Sequence, residues 1–295
     1  MKTRLPLLLV TCWFIWSCGT NKQKTLIRNE NYEVQFAQQQ KCVLILFPCF
    51  PCDIEHTKRE AFFLKDIHQQ GVTTVLLNFN QKLYLTETEK DHLFRELQSI
   101  FATHPIKSDR VFLGGFSSGG NIALLLADYI AGQRSNLKIK GVFAVDSPVD
   151  LEQVYYNAQN DIALQANEGA ISEAEMLVQL IENELGTPPS AIDKFNTLSP
   201  FLASQKHLGN LYHHQQYKIR LYTEPAPEWQ LKNRKRRPEN TNSWMFEKLY
   251  ETLVSQGNNT CELIKTENKG VRANGCVHPH SWSLVEQKTL LEWMK

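Results

Sequence analysis

The sequence has almost no excess charge of either sign: 32 lysines and arginines stand against 31 aspartates and glutamates, a formal net charge of +1. A protein that binds nucleic acid through its phosphates relies on a positive field, so this composition gives no support to a nucleic-acid function. The sequence also has no internal repeat, and no segment after residue 16 approaches the length of a transmembrane helix. With 295 residues, 42% of them hydrophobic, the chain can bury a large core, which disfavours disordered and fibrous classes.

The first 17 residues have the pattern of an export signal. Lys2 and Arg4 precede an apolar stretch over 5–16, and Ser17–Cys18 ends it with a small residue before a cysteine. The stretch is too short for a permanent membrane span, and its ending resembles the lipobox of bacterial lipoproteins. We therefore predict a signal peptide over 1–17 and lipidation at Cys18. An ordinary cleaved signal or an uncleaved anchor are the alternatives.

The segment that follows the predicted signal is polar. Residues 18–30 lack hydrophobic periodicity, which is typical of a flexible tether between a lipidated cysteine and a folded domain. Removal of Lys2 and Arg4 with the signal leaves 30 basic against 31 acidic residues, a net charge of −1. The mature protein is thus expected to face the periplasm or the cell surface, held at a membrane by its lipid.

From about residue 31 onward, short apolar runs alternate with helical segments. Strands are predicted at 32–37, 42–47, 72–79, 110–114, 141–145, 217–222 and 261–265. Several of these runs are continuously apolar, as in strands that helices cover on both faces. The alternation predicts an α/β fold with a doubly wound, mostly parallel sheet, whose functional residues lie in loops after the strands.

Helices are predicted from capping boxes and from apolar spacing. The boxes are Thr86–Glu89 and Ser172–Glu175, and apolar spacing predicts helices over 242–257 and 283–294. The segment from about 150 to 214 lies between two predicted strands and is too long for a simple connection. We predict that it forms a helical cap over the site.

A serine lies in a turn between a predicted buried strand and a predicted helix. Gly115-Phe116-Ser117-Ser118-Gly119 follows the strand at 110–114 and precedes an apolar helical run. This G-x-S-x-G pattern holds a serine in a sharp turn with its hydroxyl above the sheet, and its strand and helix flanks make the pattern specific. Ser117 is therefore the candidate nucleophile.

With this turn the chain resembles the α/β-hydrolase family over roughly residues 31–295. The resemblance implies a catalytic serine, then an acid, then a histidine along the chain, with Ser117 as the nucleophile. It also implies an acyl-enzyme mechanism, a small acylated substrate and no cofactor. A carboxylic ester is the favoured bond, ahead of a peptide bond.

Two histidines occupy the loop before the last predicted helix. His280 is favoured as the general base, because His-Ser-Trp before a helix is similar to the catalytic-histidine loop of esterase-like hydrolases. His278 is then a packing or hydrogen-bonding neighbour. The spacing of histidines and cysteines does not suggest metal ligands, so no metal site is predicted.

The acid is expected in the loop after the strand at 217–222. Glu224 follows this strand directly and precedes a proline, and Glu228 is the reserve. Asp146 and Asp150 follow the preceding strand and are a further possibility, since some family members place the acid there. A turn and a helix cap are the favoured interpretation of these two aspartates.

The oxyanion hole needs two backbone N–H groups. Ser118 is expected to supply one, and the resemblance implies that Cys49 or Phe50, after the strand at 42–47, supplies the other. The glycines usual in that loop are missing. Cys49-Phe50-Pro51-Cys52 is also similar to a thioredoxin-like redox motif, although a structural cysteine pair is favoured.

Two further features leave alternatives open. Among the cysteines outside the signal, Cys261 and Cys276 are the first pair to consider for a disulfide. The basic run over 232–237 is expected to be a solvated turn, or else to bind an acidic substrate or anionic lipid headgroups.

The sequence as a whole thus predicts an exported serine hydrolase. A non-catalytic binding lipoprotein with the same fold is the main alternative, and a thiol-disulfide oxidoreductase that uses Cys49 and Cys52 is a lesser one.

Overall fold

The computed structural model describes residues 25–79 and 82–295. The predicted signal peptide, Cys18 and most of the predicted tether lie outside these residues. No helix in the described ranges combines the length and apolar character needed to cross a membrane.

One eight-stranded sheet forms the centre of the molecule, with strand order β1-β2-β4-β3-β5-β6-β7-β8. Strands β3 to β8 are parallel to one another, whereas β2 pairs antiparallel with β1 and β4. The strands are β1 Leu26–Arg28, β2 Tyr32–Gln35, β3 Cys42–Phe47, β4 Val72–Leu77, β5 Val111–Phe116, β6 Ile139–Val145, β7 Lys218–Thr223 and β8 Cys261–Lys265. The seven predicted strands are present, and only β1 was not expected.

Nine α-helices surround the sheet in the described part of the chain. They are α1 Ile54–Glu60, α2 Glu87–Thr103, α3 Ser118–Gly132, α4 Leu151–Ala163, α5 Glu168–Glu184, α6 Pro188–Leu198, α7 Pro227–Arg234, α8 Asn242–Ser255 and α9 Gln287–Trp293. Alternate residues of the central strands face two separate cores. In β3, for example, Ile45 belongs to one hydrophobic cluster and Leu44 to the other, and both are fully buried. This confirms the predicted sheet covered on both faces.

Local signals explain where most helices begin. Thr86 caps α2 with the expected capping box, and Asp150 caps α4 by accepting a hydrogen bond from the Gln153 N–H at 3.0 Å. The box predicted at Ser172 is wrong, because Asn167 caps α5 one turn earlier and accepts from the Ala170 N–H at 3.0 Å. The last predicted helix is divided into a 3-10 turn, Trp282–Leu284, and α9.

Helices α4 to α6 lie between β6 and β7, in the segment predicted to form a cap. They bring apolar side chains over the carboxyl ends of the parallel strands, where Leu151 and Val154 of α4 and Leu177 of α5 line a cavity. The loops after β3, β5, β6 and β7 open into the same region. The fold therefore collects these loops under the cap, as expected for a site in an α/β sheet.

Candidate active site

Ser117 occupies the sharp turn between β5 and α3. Its φ of 55° lies in a region that a non-glycine residue rarely adopts, and its N–H donates to the carbonyl oxygen of Val145 at 2.9 Å. The Ser117 carbonyl in turn accepts from the Gly120 N–H at 2.9 Å. The turn thus holds the serine in a strained conformation at the carboxyl end of a central strand, as the G-x-S-x-G pattern requires.

Three glycines make this turn possible because other parts of the chain lie too close to each of them for a side chain. A Cβ atom on Gly115 would overlap the backbone of Gly119. One on Gly119 would overlap the carbonyl oxygen of Phe47 at the end of β3, and one on Gly120 would overlap the Ser147 side chain. The start of α3 can therefore approach the loops after β3 and β6 only with glycine at these positions.

His280 pairs with Asp146. Its Nδ1 lies 2.7 Å from Asp146 Oδ2, and the other carboxylate oxygen, Oδ1, accepts from Thr223 Oγ1 at 2.7 Å. Asp146 is buried and has a positive φ of 44°, and its carbonyl accepts from Asn242 Nδ2 at 2.7 Å. His280 and Thr223 thus hold the two carboxylate oxygens, and Asn242 holds the Asp146 backbone. Nε2 of His280 is then the ring nitrogen free for chemistry.

This arrangement differs from the prediction that Glu224 orients the histidine. Glu224 is buried, and its Oε2 accepts from Thr266 Oγ1 at 3.1 Å, the Lys269 N–H at 2.8 Å and the Gly270 N–H at 3.1 Å. The reserve, Glu228, is exposed in the first turn of α7. Glu224 fastens the loop after β8 instead, while Asp146, at the end of β6, takes the position beside the histidine.

The loop that Glu224 fastens also supports the histidine loop. The Gly270 carbonyl accepts from the His278 N–H at 2.9 Å, and Ser281 Oγ donates to the Val271 carbonyl at 2.7 Å. Glu224 is therefore linked to the histidine loop through the backbone of the loop after β8.

His278 lies beside His280 and is neutral near pH 7. Its Nδ1 accepts from the His280 N–H at 3.2 Å, so the ring proton of the neutral form is on Nε2. Burial, together with the nearby charges of Arg272, His280 and Arg234, lowers the pKa of His278 to about 4. The His278 ring also packs edge-on against Trp229, with centroids 4.6 Å apart. It is thus a neighbour with a hydrogen-bond donor at the cavity, as expected, and is not the group paired with the acid.

Ser117, His280 and Asp146 all line one cavity beneath the cap. Its walls combine apolar and polar side chains. The apolar ones include Phe50, Leu83, Leu151, Val154, Leu177 and Met245. Among the described residues, the Ser117 hydroxyl has no hydrogen-bond partner, so it is free to meet a molecule in the cavity. A serine, a histidine and a carboxylate on three different loops thus line one cavity, and these are the residue types that nucleophilic acyl transfer uses.

The loop after β3 lies against the nucleophile turn, as expected for an oxyanion loop. Ser118 is at the first position of α3, where a backbone N–H has no partner within the helix. The Phe50 N–H, however, donates to Ser118 Oγ at 2.8 Å, so it is engaged in holding the two loops together. This differs from its expected role as an oxyanion donor. Ser118 and Cys49 remain the predicted donors.

The cysteines pair differently from the expectation. Cys49 and Cys52 form a disulfide, whereas Cys261 is buried in β8 and Cys276 is exposed, each with a free thiol. The predicted pair of Cys261 and Cys276 is therefore wrong. His56 Nδ1 lies 3.9 Å from Cys49 Sγ. These three side chains form the one cluster of potential metal ligands in the described ranges, and the disulfide engages both of its sulfur atoms.

The basic run over 232–237 is only in part the expected solvated turn: Lys232, Lys235 and Arg237 are exposed, whereas Arg234 and Arg236 are partly buried. Arg236 donates to the buried carboxylate of Asp161 at 2.6 Å, and Arg234 donates to Glu173 at 2.7 Å. Lys235 Nζ donates to the carbonyl at the end of α4, Leu164 O, at 2.9 Å. These contacts join the loop after β7 to cap helices α4 and α5 and place two guanidinium groups in the cavity wall.

Comparison with solved structures agrees with this architecture. The chain superposes on acylaminoacyl peptidase from Pyrococcus horikoshii with a TM-score of 0.54 and 14% identity, covering 92% of this chain and 42% of that one. An S-formylglutathione hydrolase from Agrobacterium tumefaciens gives 0.53 at 12% identity, covering 91% and 92%. Esterases from Rhizomucor miehei give 0.52 at 13% identity, covering 90% and 79%.

The protein therefore has the α/β-hydrolase fold. This confirms the fold class predicted from the sequence. The chain spans about two fifths of the length of the acylaminoacyl peptidase, and nearly the whole of the S-formylglutathione hydrolase. No family model matches the sequence, and no curated protein matches it.

Proposed function

We propose that the protein is a serine hydrolase that cleaves carboxylic esters through an acyl-enzyme. The observation that carries this proposal is the pairing of His280 Nδ1 with Asp146 Oδ2 at 2.7 Å, in the same cavity as Ser117. A carboxylate on Nδ1 keeps the ring in the tautomer whose Nε2 accepts a proton. A binding protein with the same fold would not need this arrangement.

The reaction follows from these roles. The Ser117 hydroxyl attacks the acyl carbonyl while His280 Nε2 takes its proton, and Asp146 stabilises the imidazolium that forms. Backbone N–H groups of Ser118 and the loop after β3 receive the oxyanion, each worth about 3 kcal/mol of transition-state stabilisation. His280 returns the proton to the leaving alcohol, and water then releases the acyl group by the same steps in reverse.

The structural neighbours favour an ester over a peptide bond as the first bond to test. The match covers most of the length of the esterases and of the S-formylglutathione hydrolase, whereas more than half of the peptidase lies outside it. Esters with a small acyl group are therefore the first substrates to test.

The test is labelling with a neutral fluorophosphonate. We expect the protein that starts after Cys18 to be labelled on Ser117 by mass spectrometry, and labelling and ester hydrolysis to be lost in Ser117→Ala. Ser172→Ala, an exposed serine of α5, is the control that keeps both. A wild-type protein that is folded but neither labelled nor active would favour the binding lipoprotein. Disulfide exchange by Cys49 and Cys52 that persists in Ser117→Ala would favour the oxidoreductase.

We also propose that the protein is exported and anchored through a lipidated Cys18. The support is the sequence pattern of basic residues, apolar stretch and Ser17–Cys18. Metabolic labelling with an alkyne fatty acid should mark the wild type and not Cys18→Ser. Cys12→Ser, in the apolar stretch, is the matched control that keeps the label, and label retained in Cys18→Ser would contradict the proposal.

A further inference from the structure

Two guanidinium groups lie in the wall of the cavity that holds Ser117 and His280. They belong to Arg234 and Arg236, whose side chains are 21% and 19% exposed. A cavity for a neutral ester alone needs no such groups, because placing charge in a partly desolvated wall is costly. The carboxylates that accept hydrogen bonds from Arg234 and Arg236 therefore indicate which kind of group this wall binds.

Arg236 has a permanent partner. Its Nε and Nη2 donate to the two oxygens of Asp161 at 2.9 and 2.6 Å, and the Asp161 side chain is 1% exposed. Removing Arg236 would leave a buried carboxylate without its counterion, which is strongly destabilising. This pair is therefore a fixed part of the cavity wall.

Arg234 has one hydrogen-bonded partner, which can leave, and its Nη1 also lies 4.0 Å from the buried Asp161 carboxylate that Arg236 holds. Its Nη1 donates to Glu173 at 2.7 Å, and the Glu173 side chain is 50% exposed on cap helix α5. Among the described residues, Nε and Nη2 of Arg234 have no acceptor at all. Because a half-exposed ion pair contributes little stability, another carboxylate can exchange with Glu173 at small cost. A planar guanidinium with free donors also suits a carboxylate that binds through both oxygens.

The charge of Arg234 affects the histidines of the candidate active site. The positive charge of Arg234 contributes to the lowered pKa of His278, which places the guanidinium within electrostatic reach of the histidine loop. Desolvation alone would raise the pKa of Glu173, but the charge and hydrogen bond of Arg234, together with the charges of His280 and Arg236, lower it. Glu173 is thus a carboxylate held against Arg234 at the mouth of the site.

We propose that Arg234 forms a subsite for a carboxylate carried by the ester substrate, which takes the position that Glu173 occupies. This inference rests on the proposed ester hydrolysis and names its substrate class, anionic esters. Arg236 and Asp161 are positioning residues that hold the wall behind Arg234. The alternative is that Arg234 binds no substrate and only fastens α5 to the loop after β7.

Two matched pairs of substrates test the proposal. Mono-4-nitrophenyl adipate and its methyl ester differ by a charge on the acyl side, and 4-acetoxybenzoate and its methyl ester differ by a charge on the alcohol side. The measured quantity is the ratio of kcat/KM for the anionic and the neutral member of each pair. We expect wild type to prefer the anionic member of one pair by tenfold or more, and that pair identifies the side on which the carboxylate lies.

Arg234→Ala should lower that ratio at least tenfold, mainly through a higher KM for the anionic ester. Glu173→Gln keeps an acceptor for Arg234 and removes the competing charge, so it should raise the ratio severalfold. Arg237→Ala, an exposed arginine of the same basic run outside the cavity wall, is the control that leaves the ratio unchanged.

Three results would overturn the inference. One is a wild type without preference in either pair, and another is an equal loss on both members in Arg234→Ala, which a simple fastening role would produce. If no ester is hydrolysed in a Ser117-dependent way, the proposed function itself fails and the inference fails with it. The neutral esters and Ser117→Ala separate this last case from the first two.

Discussion

Asp146 and His280 are 134 residues apart in the sequence, yet Oδ2 of one lies 2.7 Å from Nδ1 of the other. The sheet produces this contact, because Asp146 directly follows β6, the parallel neighbour of β5, which leads to Ser117. The hydroxyl of Thr223, at the end of β7, holds the second oxygen of the carboxylate at 2.7 Å. The ends of β6 and β7 thus position the carboxylate beside His280, and the adjacent end of β5 carries Ser117.

The first prediction separates the two carboxylates that follow β6 and β7. Asp146→Asn should lower kcat/KM on the order of 10³-fold or more, because the amide cannot hold the active tautomer of His280. Glu224→Gln should reduce activity far less, but should lower the free energy of unfolding by about 1–3 kcal/mol through the loop that it fastens. Ester hydrolysis and urea unfolding of both variants are the measurements. If Glu224→Gln lost more activity than Asp146→Asn, Glu224 would be the catalytic acid.

The sequence was sufficient to predict the sheet, the sharp turn that holds Ser117 and the loop that holds His280, because these depend on local patterns and on their order along the chain. It was not sufficient for the acid. Asp146 and Glu224 each follow a buried parallel strand, and the choice between them depends on the positive φ of Asp146 and on distant partners such as Thr223. An aspartate directly after a buried strand was the available signal, and a turn was favoured instead.

The contacts of the basic run and the free thiols of Cys261 and Cys276 could not be predicted from the sequence for the same physical reason. The contact between Arg236 and Asp161 joins residues 75 apart, and only the fold of the cap brings them together. Cys49 and Cys52 are three residues apart and bonded in one loop, so their disulfide was visible as a local motif. The expected pair of Cys261 and Cys276 depended on nearness in sequence, but Cys261 is buried in β8 and Cys276 is exposed.

A second prediction concerns the close approach of β3 to α3. Gly119→Ala would push a methyl group against the Phe47 carbonyl and move the oxyanion loop away from Ser117. We expect a loss of stability of a few kcal/mol and a drop in kcat of at least tenfold. The matched control is Gly169→Ala in helix α5, where the nearest atom is 3.4 Å from the new methyl group. That change should raise the unfolding free energy by about 0.5–1 kcal/mol and keep activity.

These two alanine variants are compared by thermal unfolding and by hydrolysis of a neutral ester. If Gly119→Ala were as stable and active as wild type, the strand end and the helix could not be as close as the structure has them. Equal destabilisation by Gly169→Ala would point to a general intolerance of the chain to added methyl groups.

A third prediction concerns the disulfide in the loop after β3. Cys49–Cys52 restrains the loop whose Phe50 N–H donates to Ser118 Oγ beside the nucleophile. Reduction should therefore loosen this loop and lower kcat severalfold, with a smaller effect on KM. The same loss should be present in Cys52→Ser without reductant. Cys276→Ser removes an exposed free thiol and should respond to reductant as wild type does.

The measurement is ester hydrolysis before and after a thiol reductant, with free thiols counted by a chromogenic disulfide. An activity that is unchanged after both Cys49 and Cys52 are shown to be reduced would mean that the disulfide does not support the oxyanion loop.

The last prediction uses the lowered pKa of His278. In the folded protein this pKa is about 4, against an ordinary value of 6.5, so the unfolded chain binds a proton at a pH where the folded protein does not. The contribution of His278 to stability is therefore fully present above about pH 6.5 and is lost as pH falls toward 4. Between pH 7.5 and 5 the loss from this one group is about 2 kcal/mol.

Urea unfolding at these two pH values, in wild type and in His278→Gln, checks this sign. Glutamine can accept from the His280 N–H, as Nδ1 of His278 does at 3.2 Å, but it does not titrate. Because other groups titrate in both proteins, their effects cancel in the comparison, and wild type should lose more stability than the variant does. An equal loss in the two proteins would show that His278 is protonated as readily in the folded as in the unfolded chain. In that case it could not be the neutral donor, with its proton on Nε2, that the cavity places beside His280.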